Sequence, residues 1–479
     1  MLIKGNLMKK NTYKKFFVLL VSILFISLSM APSIFAEIKI KNNEISYTNK
    51  NSDYKLLIIT PLKYVGSLQP LVIHKNNVGM TANLVTLDDV YKQIGSIGRD
   101  NPEKIKYYIK YAIETWGIKY VLLVGDFRRM PIRYCNNSDM WSGYPEPSFI
   151  SELYYADIYD KNGNFSTWDT NGNGVYGEWL GSEAQDKNID LYPDVYVGRL
   201  ACLNDFEVKV MVNKIITYEN TAYNKEWFNR MVVVAGDTYP PGYYNFSTAP
   251  FEGEESTQTA LNYMSGFEPV KLWTSLGTLT GRQDVINAID NGCGFLFFEG
   301  HGNPMTWGTH PPNDEQNWTQ GLLTADMGKL KNKDMYPICV VGGCHNSEFD
   351  VTPINLLKDP KDSFYTGTFV PECWAWKLTR IIGGGSIATI GNTALGMSKE
   401  DKESKQGAGD FMDIQLFYEY GVNGTRILGD AWGYAITNYL NTYPINWSTP
   451  SAKDSAYDAK TVQEWVLFGD PSLRIGGYY

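Results

Sequence analysis

The sequence predicts an α/β fold with mostly parallel sheets and two adjacent subdomains. Aliphatic runs such as Tyr54–Thr60 and Tyr120–Asp126 alternate with segments of helical periodicity such as Pro102–Trp116. Strands that are apolar along their whole length are typical of a parallel sheet that helices cover on both faces. The alternation begins again after Glu226–Phe228. A mature chain of about 440 residues also exceeds what one ordinary core encloses.

The two expected subdomains cover residues 53–228 and 229–479. In the first, a further strand is predicted at Asp194–Arg199. Asn204–Glu207 then opens a helix, because it has the pattern of a capping box. In the second subdomain the predicted strands are Met231–Gly236, Gly294–Phe298, Ile338–Val341 and Ser386–Ile390, and the predicted helices include Asp284–Asn291 and Cys373–Ile381.

The N-terminus has the pattern of a secretory signal peptide. Lysines within residues 9–15 precede an apolar run, Phe16–Met30, and Ala36 fits a cleavage site. The run is shorter than the roughly 20 residues that a membrane span requires. We therefore expect residues 1–36 to be a signal peptide, residues 37–52 to be a short N-terminal segment, and the mature protein to be secreted.

The net charge of the chain limits the classes of partner that it is expected to bind. The net charge is −9, and it becomes −14 once the five lysines of the signal peptide are removed. An acidic protein with dispersed basic residues is a poor candidate for binding nucleic acid or an anionic membrane surface. We expect protein or peptide substrates as partners, no membrane association after signal removal, and a monomer.

Two predicted strands end in glycines that are followed by reactive side chains. The strand Gly294–Phe298 continues into Glu-Gly-His-Gly, which contains His301, and the strand Ile338–Val341 continues into Gly-Gly-Cys, which ends at Cys344. Functional groups of parallel α/β sheets collect beyond the carboxyl ends of the strands. If the two strands are neighbours, His301 and Cys344 meet at that edge.

This pair suits acyl transfer. A thiol is a good nucleophile as its thiolate, and a nearby imidazole can remove the proton and later protonate the leaving amine. The backbone N–H groups of Gly302 and Cys344 are candidates for binding the developing oxyanion. The sequence therefore predicts a catalytic dyad of His301 and Cys344.

The other cysteines and histidines are not expected to take part in catalysis. Cys339, inside its strand, is expected to be a core residue. His345 should face away from the thiol, because successive side chains of an extended segment alternate. His74 and His310 lack a comparable context. The spacing of cysteine and histidine matches no common zinc site, and the six scattered cysteines favour mostly reduced, buried thiols over a disulfide framework.

Taken together, these motifs resemble the gingipain-type cysteine peptidases of family C25, in the same clan as the caspases. The matching stretches, in order, are Leu57–Pro61, Tyr120–Asp126, Tyr192–Arg199, Glu299–Gly302, Gly343–Cys344 and Phe468–Leu473. A His-Gly followed by a Gly-Cys is a weak signal alone, whereas all six stretches in order are specific. The resemblance covers nearly the whole mature chain and implies a caspase-like three-layer α/β/α architecture.

The resemblance implies a cysteine endopeptidase that forms a thioester acyl-enzyme. His301 and Cys344 would be the dyad, and the Gly302 N–H would help to bind the oxyanion. In gingipains an acidic residue supports the catalytic histidine, and alignment of the Val-Gly-Arg stretch places it at Asp194. A carboxylate there could orient the ring. The alternative is that Asp194 is a turn residue after Pro193.

Gingipains cut after arginine or lysine, and the resemblance implies the same specificity here. Their acidic pocket residue falls near Asp205, and Glu299 is expected on the pocket wall. Two carboxylates would suit a guanidinium or ammonium group. The alternatives are that Asp205 favours a helix N-terminus and that Glu299 pairs with a structural base.

A second site is predicted in the loop that begins at Asp169. Oxygen side chains at positions 1, 3 and 5 and a glycine at position 6 reproduce the start of an EF-hand calcium loop. Leu180 occupies the place of the usual glutamate, for which Glu178 is the substitute. The expected calcium ligands are Asp169, Asn171, Asn173, Val175 and Glu178. A polar turn is the alternative, and no organic cofactor is expected.

Two other functions are compatible with the sequence. One is a non-catalytic calcium-binding surface protein that retains the peptidase fold, although such a protein would typically have lost the histidine or the cysteine. The other is a transpeptidase with the same dyad, because hydrolysis and transfer both pass through a thioester.

Overall fold

The computed structural model describes residues 53–140, 143, 146, 148–241, 251–396, 398 and 407–479. The predicted signal peptide and the segment up to residue 52 lie outside these ranges. Within them, no helix combines the length and the apolar character that crossing a membrane requires. All the described residues belong to one compact unit.

The described strands form one large sheet and three small ones. In chain order they are β1 (Leu56–Thr60), β2 (Ala82–Thr86), β3 (Tyr120–Val124), β4 (Tyr134–Cys135), β5 (Phe149–Ile150), β6 (Trp179–Leu180), β7 (Glu183–Ala184), β8 (Tyr196–Leu200), β9 (Arg230–Ala235), β10 (Glu268–Trp273), β11 (Phe295–Glu299), β12 (His301–Gly302), β13 (Thr306–Thr309), β14 (Thr319–Leu323), β15 (Ile338–Gly342), β16 (Ala388–Asn392) and β17 (Trp465–Phe468). The large sheet has ten strands in the order β10-β9-β11-β15-β16-β17-β8-β3-β1-β2. The small sheets are β12-β13-β14, β4-β5 and β6-β7.

Helices cover the large sheet. In the described part of the chain they are Val65–Asn77, Leu87–Ile94, Asn101–Trp116, Asp205–Thr221, Glu252–Tyr263, Arg282–Asp290, Asn355–Lys358, Pro360–Thr366, Trp374–Arg380, Ala408–Gly421, Leu428–Thr442 and Asp454–Gln463. Short 3-10 turns lie at Leu62–Tyr64, Glu152–Tyr155, Glu226–Asn229 and Met327–Lys329. The mixed α/β class is therefore as predicted.

Local sequence explains where these elements lie. Every residue of β1, β3, β11 and β15 is buried, as expected for parallel strands whose two faces are both covered. The predicted helix cap at Asn204 is present, because its side-chain oxygen accepts the Glu207 N–H at 3.0 Å and the helix begins at Asp205.

The two halves of the large sheet run in opposite directions. Strands β1, β2, β3 and β8 come from residues 53–228 and are parallel to one another. The other six come from residues 229–479, and all of these except β17 are parallel. Strand β17 is antiparallel to β16 and parallel to β8. The carboxyl ends of the N-terminal half therefore lie at the opposite edge from those of the C-terminal half.

The Val-Gly-Arg and Gly-Asp-Pro stretches meet where the two halves of the sheet join. The buried Arg199 guanidinium donates to the Glu152 carboxylate at 2.8 Å and to the Gly125 carbonyl at 3.1 Å. A side chain at Gly198 would lie 2.5 Å from the Gly469 carbonyl, so glycine is required for this close approach. The Gly469 N–H also donates to the Arg199 carbonyl at 3.0 Å, so the Val-Gly-Arg and Gly-Asp-Pro stretches are in direct contact where the two halves join.

Candidate active site

Strand register brings His301 and Cys344 to the same edge. Strands β11 and β15 are parallel neighbours with Glu299 opposite Gly342, and the Gly300 N–H donates to the Gly342 carbonyl at 3.0 Å. His301 lies two residues beyond one paired position and Cys344 two beyond the other. The two residues predicted as the dyad therefore both lie just beyond the ends of adjacent parallel strands.

The thiol of Cys344 is held in its neutral form. Its Sγ donates to the Gly396 carbonyl at 3.2 Å. The enclosed surroundings and the nearby carboxyl groups of Glu464 and Glu146 raise the pKa of this thiol to about 12. A base must therefore remove the proton before or during nucleophilic attack.

His301 is arranged as a neutral base. Its Nε2 lies 2.7 Å from the Thr238 carbonyl oxygen, so this nitrogen carries the hydrogen and Nδ1 keeps its lone pair. Burial lowers the pKa of His301 below its usual 6.5, although the Thr238 carbonyl opposes this and His310 adds to it. At neutral pH the imidazole is therefore uncharged and can accept a proton.

Asp194 does not support His301, contrary to the prediction. Its Oδ2 accepts the backbone N–H groups of Ile158 and Tyr159 at 2.7 and 2.9 Å. It precedes β8, which is four strand positions from β11 across the sheet, or about 19 Å at the usual strand spacing. The Thr238 carbonyl occupies the orienting role, and no side-chain pattern in the sequence could have identified a backbone group.

His310 and Trp318 are neighbours of His301 that sequence reasoning missed. The His301 ring centroid lies 5.7 Å from that of His310 and 5.2 Å from that of Trp318, and the latter two rings are 3.8 Å apart. His310 is fully buried, and its Nδ1 lies 2.7 Å from the Asn317 carbonyl, whereas Trp318 is half exposed. Strands β13 and β14 fold back toward β12 and bring these rings together, which the linear spacing does not reveal.

Asn346 joins the two loops of the site. Its Nδ2 donates to the carbonyls of Asn303 and Thr306 at 2.8 and 3.0 Å. Side chains at Gly302 or Gly343 would overlap the Asn346 amide. The glycines beside His301 and Cys344 therefore leave room for this buried link, and the predicted Gly302 N–H donor lies next to Gly343.

The two acids predicted for the substrate pocket, Asp205 and Glu299, lie in different parts of the structure. Asp205 lies at the opposite edge of the sheet, where it accepts from Ser67 and pairs with Lys209 at 2.7 Å, so its predicted role in the pocket is wrong. Its position follows from the reversed direction of β8. Glu299 lies at the site, and its carboxyl group fills the space beside Gly342 together with that of Asp413.

Glu299 belongs to a group of buried acids. Burial and the neighbouring Asp413 raise the pKa of Glu299 well above its usual range, and burial raises the pKa of Asp413 to about 8. Burial also raises the pKa of Asp410 to about 6. Two adjacent buried carboxyl groups cannot both ionise without a cation, so Glu299 and Asp413 retain a proton at neutral pH.

His345 is held by two carboxylates. Its ring lies between Glu146 and Glu348, with nitrogen–oxygen distances of 3.1 and 3.0 Å. Burial would lower the pKa of His345, but the two carboxylates raise it to about 10. It is therefore an imidazolium without a free lone pair, and it is not a candidate base.

The predicted calcium loop folds around Asp169. This carboxylate accepts the N–H groups of Gly172, Asn173 and Gly174 at 2.8 to 3.0 Å. The Asn173 amide lies 2.8 Å from the Glu178 carboxylate, so these predicted ligands share one turn. The guanidinium of Arg99 pairs with Asp169 at 2.5 Å, and a bound cation would have to displace it. Calcium binding stays a prediction.

Sequence comparisons identify proteins similar to this chain. The family model described as "Peptidase family C25" matches residues 49–476. Gingipain R2 and gingipain R1 of Porphyromonas gingivalis are each 21% identical over 428 residues, which is 88% of this chain and 46% and 34% of the respective relatives. Lys-gingipain W83 of the same organism is 23% identical over 232 residues, 48% of this chain and 11% of that relative. The chain thus spans less than half the length of these curated relatives.

Structural comparison gives the same fold. The crystal structure of the Arg specific cysteine proteinase gingipain R matches with a TM-score of 0.60 and 20% identity over 90% of this chain and 80% of that one. The complex of the pro- and mature domains of RgpB from Porphyromonas gingivalis matches with a TM-score of 0.59 and 20% identity, over 88% and 79%. The three-layer architecture predicted from the sequence is confirmed.

Proposed function

Because this chain is a member of peptidase family C25, we propose that it is an active cysteine endopeptidase with Cys344 as nucleophile and His301 as base. The observation that supports the proposal is the register of β11 and β15, because a neutral imidazole and a neutral thiol follow the glycine-broken ends of these neighbouring strands. Both groups are present in the forms that a general-base mechanism needs.

The reaction begins with rotation of the thiol away from Gly396 and toward His301. Nδ1 of His301 accepts the proton as Sγ attacks the substrate carbonyl, and the Thr238 carbonyl stabilises the resulting imidazolium through Nε2–H. The N–H groups of Gly302 and Cys344 bind the oxyanion. The C–N bond then breaks, the amine leaves with the proton from His301, and water hydrolyses the thioester to the acid and the free thiol.

A basic residue before the cleaved bond is the proposed specificity. The buried carboxyl groups of Glu299, Asp410 and Asp413 support it, because a guanidinium or ammonium group would allow the retained proton to leave and would pair with the resulting charge. Two relatives carry Arg or Lys preference in their names, the Arg specific gingipain R and Lys-gingipain.

The mechanism predicts that Cys344→Ala and His301→Ala each abolish hydrolysis of fluorogenic peptides under reducing conditions. Loss of a dyad member typically lowers kcat by about 10⁴-fold or more. Cys339→Ala is the matched control, because this buried cysteine lies in β15 five residues earlier and its loss should leave kcat close to wild type. Full activity in the Cys344→Ala variant would overturn the proposed nucleophile.

The specificity predicts faster cleavage after arginine or lysine than after leucine or aspartate in peptides that differ at that residue alone. In Glu299→Gln and Asp413→Asn variants, kcat/KM for the basic peptides should fall by about tenfold, since a charged hydrogen bond contributes about 1.5–3 kcal/mol. Asp205→Asn is the matched control at the opposite edge and should have no effect. Faster cleavage after leucine or aspartate would contradict the proposal.

An extracellular location is part of the proposal. It is supported by the lysine-rich start and the apolar run of residues 1–36, which lie outside the described residues. Expression with export should give a secreted protein whose first residue is Glu37. Retention of residues 1–36 on the exported protein would contradict signal cleavage at Ala36.

A further inference from the structure

The residue after the nucleophile has an unusual backbone. His345 has a φ of 56°, in the left-handed region that only a few per cent of residues other than glycine adopt, mostly asparagine, aspartate and histidine. Such a conformation costs about 1–3 kcal/mol and persists where its surroundings hold it. Two backbone hydrogen bonds do so, from the His345 N–H to the Ala394 carbonyl at 2.9 Å and from the Glu348 N–H to the His345 carbonyl at 3.0 Å.

The His345 ring is held on both sides as well. Its Nε2 pairs with Glu146 at 3.1 Å and its Nδ1 with Glu348 at 3.0 Å, while about a quarter of the side chain is exposed. An ion pair at each nitrogen leaves the ring no freedom to rotate without breaking one of them. The left-handed turn beside Cys344 is therefore fixed through a side chain as well as through the backbone.

Glu146 also contacts the segment on the other side of the Cys344 thiol. Its Oε2 accepts the Leu395 N–H at 2.9 Å and pairs with Lys460 at 2.8 Å. Leu395 directly precedes Gly396, whose carbonyl accepts the Cys344 thiol. The Glu146 carboxylate thus contacts both His345, which follows the nucleophile, and Leu395, which precedes the acceptor of the thiol.

The other charged groups around His345 do not replace this arrangement. Glu464 and Asp139 are charged neighbours of Lys460, whose ammonium lies 3.7 Å from Asp139, and Asp350 accepts the Tyr134 hydroxyl at 2.6 Å. Only Glu146 and Glu348, among the described residues, form ion pairs with His345.

We propose that His345 is a positioning residue for the nucleophile: its paired contacts with Glu146 and Glu348 fix the left-handed turn and so set the direction of the Cys344 side chain. The inference rests on the proposed role of Cys344. Without these contacts the turn relaxes, and the Cys344 side chain is no longer restricted to directions toward Gly396 and His301. A displacement of about 1 Å at reacting atoms can lower a rate by about 100-fold.

The test separates the backbone from the side chain with two substitutions. His345→Gly accepts the left-handed conformation without strain but removes both ion pairs, and His345→Asn accepts it and keeps one hydrogen bond to a carboxylate. On a short fluorogenic peptide, kcat of His345→Gly should fall about ten- to 100-fold with KM within about twofold. His345→Asn should recover part of the loss. Asn224→Gly, at an exposed position with a φ of 57°, is the control and should behave as wild type.

Glu146→Gln supplies an independent arm that keeps an acceptor for the Leu395 N–H. If the two residues act as a unit, the double variant Glu146→Gln/His345→Gly should have the kcat of the worse single variant rather than the product of both losses. Unchanged kcat in His345→Gly, or multiplicative losses in the double variant, would overturn the inference. Failure of the proposed nucleophile would show separately, as activity surviving Cys344→Ala.

Discussion

At the scale of single residues, the His301 imidazole and the Cys344 thiol are both uncharged at neutral pH. Burial lowers the pKa of His301, and the enclosed surroundings raise the pKa of Cys344. A pre-formed thiolate–imidazolium pair would need the opposite shifts. In the proposed mechanism, proton transfer therefore accompanies the attack on the substrate, and the Thr238 carbonyl stabilises the charge only as it forms.

This arrangement predicts the pH dependence of activity. Since the pKa of His301 is lowered, its neutral form predominates above pH 6.5, and kcat/KM should reach half of its maximum below that value. Since the pKa of the free thiol is raised to about 12, alkylation of Cys344 by iodoacetamide should still be accelerating above pH 9. Both rates are measured across pH 4–10, with Cys344→Ala as the blank. An alkylation rate that levels off near pH 6 would indicate a pre-formed thiolate instead.

At the scale of elements, glycine-ended strands create the site. Strands β11 and β15 are buried at every residue, so they cannot themselves expose a reactive group. The glycines that follow allow the chain to turn sharply, and Asn346 fills the room that they leave. The rigid sheet fixes the spacing between the two strand ends, while the short loops beyond them carry the chemistry.

The loop from Asp169 to Glu178 is the element for which calcium is predicted. Calcium should raise the temperature of unfolding and a chelator should lower it, because a ligand that binds the folded state stabilises it. Scanning calorimetry of the protein with calcium and with excess chelator measures the shift. Asp169→Asn should abolish it, whereas Asp160→Asn, in a neighbouring polar turn, should not. An unchanged unfolding temperature at saturating chelator would contradict calcium binding.

At the scale of the whole molecule, a buried charge cluster joins distant parts of the chain. The Lys75 ammonium lies 2.8 Å from the carboxylates of both Glu219 and Asp470, and all three side chains are fully buried. Burial would lower the pKa of Lys75, but the two carboxylates outweigh it and raise the value. Two helices of the N-terminal half are thus tied to the segment that follows β17.

Lys75→Met should therefore destabilise the protein by about 3–5 kcal/mol, because it removes the ammonium that both buried carboxylates contact and leaves Glu219 with His74 alone. Urea unfolding, followed by tryptophan fluorescence, measures the loss. Lys110→Met removes an exposed pair with Glu114 and is the matched control, with an expected loss below about 1 kcal/mol. Equal losses in the two variants would mean that the buried cluster does not hold the halves together.

Sequence patterns predict the central strands better than the edge strands. Strands β1, β3, β11 and β15 are continuous apolar runs, since both faces of each are buried. Strands β2 and β10, which the sequence did not indicate, lie at the two ends of the sheet and have partly exposed residues. An edge strand has no requirement for apolar residues on both faces, so its periodicity is weak.

The sequence by itself determined that His301 and Cys344 lie at one edge of the sheet, because a side chain that follows a parallel strand can lie only at the carboxyl edge. Only the tertiary structure decided which acids join them. The predicted role of Asp205 failed because β17 is antiparallel to β16 and reverses the N-terminal half of the sheet, whereas that of Asp194 failed because β8 lies four strand positions from β11. The direction of one strand relative to another depends on pairing between residues far apart in the chain, which local patterns do not encode.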